Sequence, residues 1–367
     1  MSNAKKLYVE AANSQSSTHG LRSNKVKNIF NKPLVQFVIL GLVFIVIQLL
    51  GRGGILPSKY VTVAATVMIY TIVCEGFCLL LGYAGLASLG SACFVGIGAY
   101  SIFFIMQQWG LPYILAISMA LGISLLLGLA IGFISLRVQG LFLGIITLGL
   151  SEIIRNVLRE IWSQTILLRT ARMKLFGMSV TKTEMYIVIA IIMVICLLIL
   201  YNLMHSPTGR NMVAMKNSTS AAQAFGINLL IYRVLAFIIA CMLAALTGVC
   251  YISYGYSINP STAGAGDPAL AITLSLNVLA AVIIGGYKSL WGTFAGVVFV
   301  FGLTSLFSAL FPTLANDAAA YISLVVGVLM IIIVMFYPGG FYQLFYTLKY
   351  KIKESKMKRK VRIYGIQ

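Results

Sequence analysis

The sequence predicts an all-α fold, a polytopic membrane helical bundle of about ten transmembrane spans. Three observations predict it. Of the 367 residues, 60% are hydrophobic and only 10% are charged, against roughly a quarter charged in a soluble domain. The apolar residues fall into about ten runs of roughly 17–25 residues, the length at which a helix crosses a bilayer. The formal net charge of +19 gathers mainly at the two chain ends, the pattern that holds both ends in the cytoplasm.

The elements follow in order. Residues 1–33 are polar, rich in Ser, Asn and Lys, and read as a disordered basic cytoplasmic tail. The first apolar run, 34–50, comes after a leader too long for a secretion signal. The following GRGGILPSKY holds no A-x-A cleavage site, so the run reads as an uncleaved first helix. Further runs cover 60–81, 86–106, 112–136, 141–161, 185–204, 230–254, 268–284, 290–310 and 318–336. The run 86–106 is crowded with Gly and Ser, which marks it as a candidate for a broken or re-entrant segment. Leu111-Pro112, Asp267-Pro268 and Asn316-Asp317 mark helix starts by an early proline or a capping side chain. The transmembrane domain spans 34–347, and a second basic tail, 348–367, carries KYKIKESKMKRK.

An even count of spans lets both termini share the cytoplasmic side of the plasma (inner) membrane. It places Arg137, Lys288 and the loop 205–229 on that side. It also places 162–183 outside, although that segment carries Arg169, Arg172, Lys174 and Lys182, against the usual charge bias.

Composition also excludes functions. Basic tails beside apolar spans are explained by topology and anionic lipid headgroups, so lipid and not nucleic acid is the expected partner of that charge. The six cysteines lie inside apolar runs without a CxxC pair, and the two histidines lack ligand partners at useful spacing. No metal site, disulfide framework or cofactor is expected. Eight acidic residues include no HExxH and no paired-carboxylate constellation, and there is no GxSxG motif. No catalytic residue is assigned. GGYKS at 285–289 lacks the GxxxxGK spacing of a phosphate loop and reads as a short turn. Any uphill movement of solute would draw on ATP hydrolysed by another chain.

The most informative polar stretch is HSPTGRNMVAMKNSTSAAQAFGIN, residues 205–228. Turn formers open it. A short helix follows with apolar Met212, Val213 and Met215 beside polar Arg210, Asn211 and Lys216. Ser218 or Thr219 can cap a second short helix, SAAQAF, which Gly226 ends. Such an amphipathic pair either lies on headgroups or docks into a groove on a soluble partner.

The stretch TGRNMVAMKNSTSAAQAFGINLLIYRVLAF, 208–237, resembles the cytoplasmic coupling segment of the permeases of branched-chain amino acid ABC importers. Three further stretches match that family in the same order: LLLGYAGLASLGSACFVGIGAY at 79–100, LFLGIITLGLSEIIRNVL at 141–158 and GGYKSLWGTFAGVV at 285–298. The resemblance runs from about residue 61 to 336. It implies that Gly209, Arg210, Lys216, Ala221, Ala222 and Gly226 couple the chain to an ATPase. It implies pairing with a second permease subunit, with ABC ATPase subunits and with an extracytoplasmic solute-binding protein. The substrate it implies is a branched-chain or related hydrophobic amino acid; related permeases carry urea, sugars or nucleosides. The family commonly has Gln where Leu86 stands and His where Ser91 stands, and its usual Gly-rich outer loop is replaced by the basic segment after Trp162. These departures bear on substrate.

Two groups of residues are candidates for the translocation pathway or for helix packing. Gly82, Gly85, Ser88 and Gly90, with Gly96 and Gly98, permit either close helix approach or a break in the helix at depth. In the fifth run, Glu152, Arg155 and Arg159 share one helix face, and Glu152 and Arg155 form either a structural ion pair or part of a polar pathway. Glu75 is a lone carboxylate in the second run and a candidate partner for one of these arginines. Glu75 and Glu152 also leave room for an ion-coupled secondary transporter, and the missing catalytic set argues against a membrane-bound enzyme.

Overall fold

The computed structural model describes residues 33–54, 56–135, 141–161, 174–175, 178–179, 181–256 and 272–310, with single positions between 324 and 341. The tails 1–32 and 348–367, Arg137, most of 162–180, the caps at 267–268 and 316–317, and all but single positions of the run 318–336 lie outside the described residues.

The described fold is all-helical apart from one two-residue hairpin. α1 is Pro33–Arg52 and α2 is Ser58–Cys78, prolonged by a π-helical turn, Leu79–Ala84. α3 is Ser91–Gln108, α4 is Tyr113–Ser135 and α5 is Leu141–Ile161. The strands β1, Lys174–Leu175, and β2, Met178–Ser179, pair antiparallel, with Lys174 opposite Ser179. α6 is Lys182–His205, and the short α7, Pro207–Asn217, and α8, Thr219–Ala224, follow it. α9 is Leu229–Ser253 and α10 is Ile272–Gly285. α11, Leu290–Val297, runs through a second π turn, Val298–Gly302, into α12, Leu303–Leu310.

Among the described residues, six helical stretches are long and apolar enough to cross a membrane, and two shorter apolar helices, Ser91–Met106 and Ile272–Gly285, pack among them. Burial orders them. The α2 span is 89% buried, against at most 39% for the other five, so α2 is the central post. α6, α9, α10 and α11 pack around it, α9 also carries α3 and α4, and α1 lies on α6. Two glycines permit the close crossing of α3 and α9. A side chain at Gly98 would overlap the backbone of Ala245, and one at Gly248 would overlap that of Val95. Small residues at such crossings let backbones approach where lipid offers no hydrophobic drive to association. The outward faces are apolar, with Leu126, Phe142 and Ile145 each about two-thirds exposed, as a hydrocarbon-facing surface requires.

The run 86–106 divides: residues 85–90 are not helical and α3 begins only at Ser91. α6 starts with a capping box at Thr181, whose side chain accepts from Glu184 N while its own N–H donates to Glu184 Oε2 at 2.7 Å, an N-terminus signal that the sequence carried as T-x-x-E.

The bundle has two distinct ends. Phe37 on the first turns of α1 lies 5.9 Å from Tyr201 near the end of α6 and 5.3 Å from Trp291 at the start of α11. The opposite end brings together the starts of α2 and α6 and the end of α9, with Thr66 Oγ1 2.8 Å from Tyr256 Oη and Lys182 Nζ 4.6 Å above the Tyr254 ring.

Candidate functional site

The site is built on the end where α6 stops. Ser206 leaves the helical conformation, donates to Leu203 O at 2.6 Å and accepts from Gly209 N, with Pro207 at the first position of α7. This turns the chain sharply without orphaning the first N–H groups. Ser218 caps α8 by accepting from Ala221 N, and Gly226, at φ 77°, ends it. Asn228 then caps α9 by accepting from Leu230 N at 3.1 Å.

The helix pair expected at 205–229 is therefore present, and its faces are defined. Met212, Met215 and Ala222 are buried against the bundle, and Gly209 is buried beside the carbonyls of Leu203 and Met204. Arg210, Ala221 and Gly226 are exposed. The apolar stripe of α7 thus packs on protein. Phe225, 86% exposed at the end of α8, is a feature that the sequence reading passed over. An unpaired aromatic in a polar segment was the available signal.

Lys216 joins this pair to the centre of the molecule. Its Nζ donates to Gly82 O at 2.7 Å and to Leu81 O at 3.3 Å, and lies 4.6 Å over the Tyr287 ring. Both carbonyls belong to the π turn that ends α2, where the wider ladder leaves carbonyls without helical partners. A cation suits that carbonyl-rich end. Burial, then the nearby Lys288 ammonium, pulls the Lys216 ammonium below its ordinary pKa. Gly82 abuts the Tyr287 carbonyl, which also accepts from Cys78 Sγ at 3.4 Å. Gly85, at φ 71°, reverses the chain beside the Lys216 stem. Gly82 and Gly85, assigned from sequence to the pathway set, thus meet Lys216, which the resemblance assigned to the coupling set, and the 285–289 turn in one cluster.

From that cluster the break at 85–90 leads into the bundle. The break and the first turn of α3 are each held by a neighbouring helix. Leu89 N donates to Thr147 Oγ1 at 3.0 Å, and Ala92 N donates to Ser275 Oγ at 3.0 Å. Ser91 Oγ donates to the same Ser275 hydroxyl, and Gly90 N to Ser88 Oγ at 3.3 Å. Thr147 and Ser275 are 1% and 0% exposed. Irregular backbone at depth persists only with such partners. Beside Ser88 and Gly90 lies a cavity of about 20 Å³, room for roughly one water and not for a solute.

The charged candidates separate. Glu152 and Arg155 form the i, i+3 ion pair at 2.5 Å, with side chains 26% and 21% exposed. The side chain of Arg159 lies outside the described residues. Glu75 does not pair with Arg155. It is 1% exposed, and neither carboxyl oxygen has a hydrogen-bond partner among the described residues. No group of three or more metal-ligating side chains occurs among the described residues.

Comparison with known proteins bears on this arrangement. Residues 59–334 match a family model described as branched-chain amino acid transport system, permease component. The high-affinity branched-chain amino acid transport system permease protein LivM of Escherichia coli K12 is 26% identical over 308 residues, covering 76% of this chain and 69% of that protein. LivM of Salmonella typhimurium LT2 is 25% identical over the same length, with the same coverage. A probable ABC transporter permease protein, YphD of E. coli K12, is 34% identical over 98 residues, 25% of this chain and 27% of that protein. No solved structure matches the chain.

Proposed function

The chain belongs to the family of permease components of branched-chain amino acid transport systems, and from that membership we propose that it forms the path of a branched-chain or related hydrophobic amino acid across the plasma membrane, as the transmembrane subunit of an ATP-binding-cassette importer. It is a transport subunit and not an enzyme. ATP is hydrolysed by separate ATPase chains, a second permease subunit completes the path, and a solute-binding protein delivers the solute from outside.

The observation that carries this reading is the Lys216 cluster. An ATPase closing on the exposed residues of α7 and α8 pushes on a helix pair that has one ammonium on the carbonyls of the α2 π turn. That turn leads directly into the break at 85–90. Movement of the pair is thereby applied to the central helix and to the irregular segment beside it, the kind of hinge that rigid-body rocking requires.

The span count of about ten adds the six long helices, the two shorter apolar helices, α5 and the run 318–336. Both termini are assigned to the cytoplasm; for the N-terminal end the support is Phe37, which puts the start of α1 at the same end as Tyr201 and Trp291. One observation favours a different reading: the buried Glu75, without a hydrogen-bond partner among the described residues, is what a gradient-driven transporter would need for its coupling ion.

The test is uptake by the reconstituted complex with leucine, isoleucine, valine, urea and a nucleoside, driven by ATP or by a proton gradient alone. ATP-dependent uptake confined to the amino acids is expected. Uptake driven by the gradient without ATP, or confined to urea or the nucleoside, overturns the proposal.

A further inference from the structure

At the end opposite the Lys216 cluster, a cavity of about 470 Å³ opens between α2, α9, α10 and α12. Its size lies within the roughly 300–1,000 Å³ of small-molecule sites. Its lining has three zones.

The rim carries Lys59, an exposed cation, and no acidic side chain is among the described lining residues. Four wall hydroxyls on α2 and α12 have protons that are already committed. Thr62 donates to Ser58 O, Thr304 to Val300 O at 2.6 Å and Ser308 to Thr304 O at 3.1 Å. Thr66 donates to Thr62 O at 3.0 Å, which leaves the Tyr256 hydroxyl as the donor in the 2.8 Å contact between them. A hydroxyl that has spent its proton on its own helix presents lone pairs only. The walls of α2 and α12 are therefore rich in acceptors without bearing a negative charge. The floor is apolar: the rings of Tyr70 and Phe301 stack at 4.1 Å and 16°, with Val300 and Leu274 beside them, all four buried. Phe301 is placed there by the π turn of 298–302.

We propose that this cavity is the outer receiving site for an α-amino acid zwitterion, with the carboxylate on Lys59, the ammonium among the hydroxyl oxygens of Thr62, Thr66 and Thr304, and an aliphatic side chain down on the Tyr70–Phe301 stack. The assignment rests on the transport reading above and deepens it. The arrangement selects by charge position. A solute without a carboxylate leaves Lys59 unanswered, and a polar side chain meets the apolar floor.

The test uses the full complex carrying Ser305→Cys, a half-exposed lining position; the six native cysteines are buried and free. A hydrophilic maleimide reports access, with leucine, leucinamide or isoamylamine as protectant. Leucine is expected to slow labelling at least threefold while leucinamide and isoamylamine do not, and Lys59→Gln is expected to abolish the protection without changing the unprotected rate. Equal protection by leucinamide, or protection that survives Lys59→Gln, overturns the assignment. If leucine fails to protect a complex that takes up leucine with ATP, the site is wrong and the transport reading stands. Protection of a complex that takes up no amino acid keeps the site and sinks the transport reading.

Discussion

Lys216 and Glu75 are the two side chains whose replacement says most about mechanism. Lys216→Met keeps an apolar stem on Gly85 and removes the two bonds to the π-turn carbonyls. Hydrogen bonds from a charged donor are worth about 1.5–3 kcal/mol, and this group is partly solvated, so a stability loss of about 1 kcal/mol is expected. The larger effect falls on coupling: solute-stimulated ATPase activity of the complex should fall toward its basal level while the subunits still co-purify. Unchanged stimulation would show that Lys216 only packs. Glu75→Gln removes a buried ionisable group that has no hydrogen-bond partner among the described residues and costs stability where it lies. In an ATP-driven importer this variant keeps ATP-dependent uptake, whereas in a gradient-driven transporter uptake loses its pH dependence. The sequence marked both residues but not their surroundings. Lys216 was legible through resemblance alone and Gly82 through glycine crowding. The two lie 134 positions apart, and no local pattern reports a contact of that range.

At the scale of elements, the six long apolar helices among the described residues were legible because bilayer thickness imposes their length. Run 141–161 coincides with α5, and run 290–310 covers α11, the π turn and α12. The short helices α7 and α8 were legible through Ser218 and Gly226, which cap and end α8 as expected. The π turns were not, since a widened helical turn leaves no periodicity of its own. Nor was the support of the break. Thr147 is one hydroxyl in an apolar run, and only the fold shows that Leu89 N–H depends on it. Thr147→Val therefore strands a half-buried donor, at a cost toward the low end of about 1–3 kcal/mol. Its melting temperature in detergent should drop by several degrees, while Ser118→Ala, at an exposed position that bonds only its own helix, should not move it. Equal melting of the two variants would show that the break needs no such partner.

For the whole molecule, the chain places one face, made by α7, α8 and the 286–289 turn, at the end that also holds the start of α1. Sidedness follows if that end is cytoplasmic: in intact cells an impermeant thiol reagent should reach Ser179→Cys and not Ser218→Cys. The reverse pattern would turn the molecule over. The basic segment around Ser179 was the least legible part of the topology, because its charges argue one way and the span count the other. The central claim is that an ATPase engages the α7–α8 pair and that its closure is felt through it. Ala221 is the position to probe, being exposed on α8 while its neighbour Ala222 is 2% exposed and packed inward. A photocrosslinker placed at Ala221 in the assembled transporter should attach to the ATPase chain, with a yield that changes between nucleotide-free and ATP-bound states. Crosslinks to lipid alone, or to the solute-binding protein, would contradict the account.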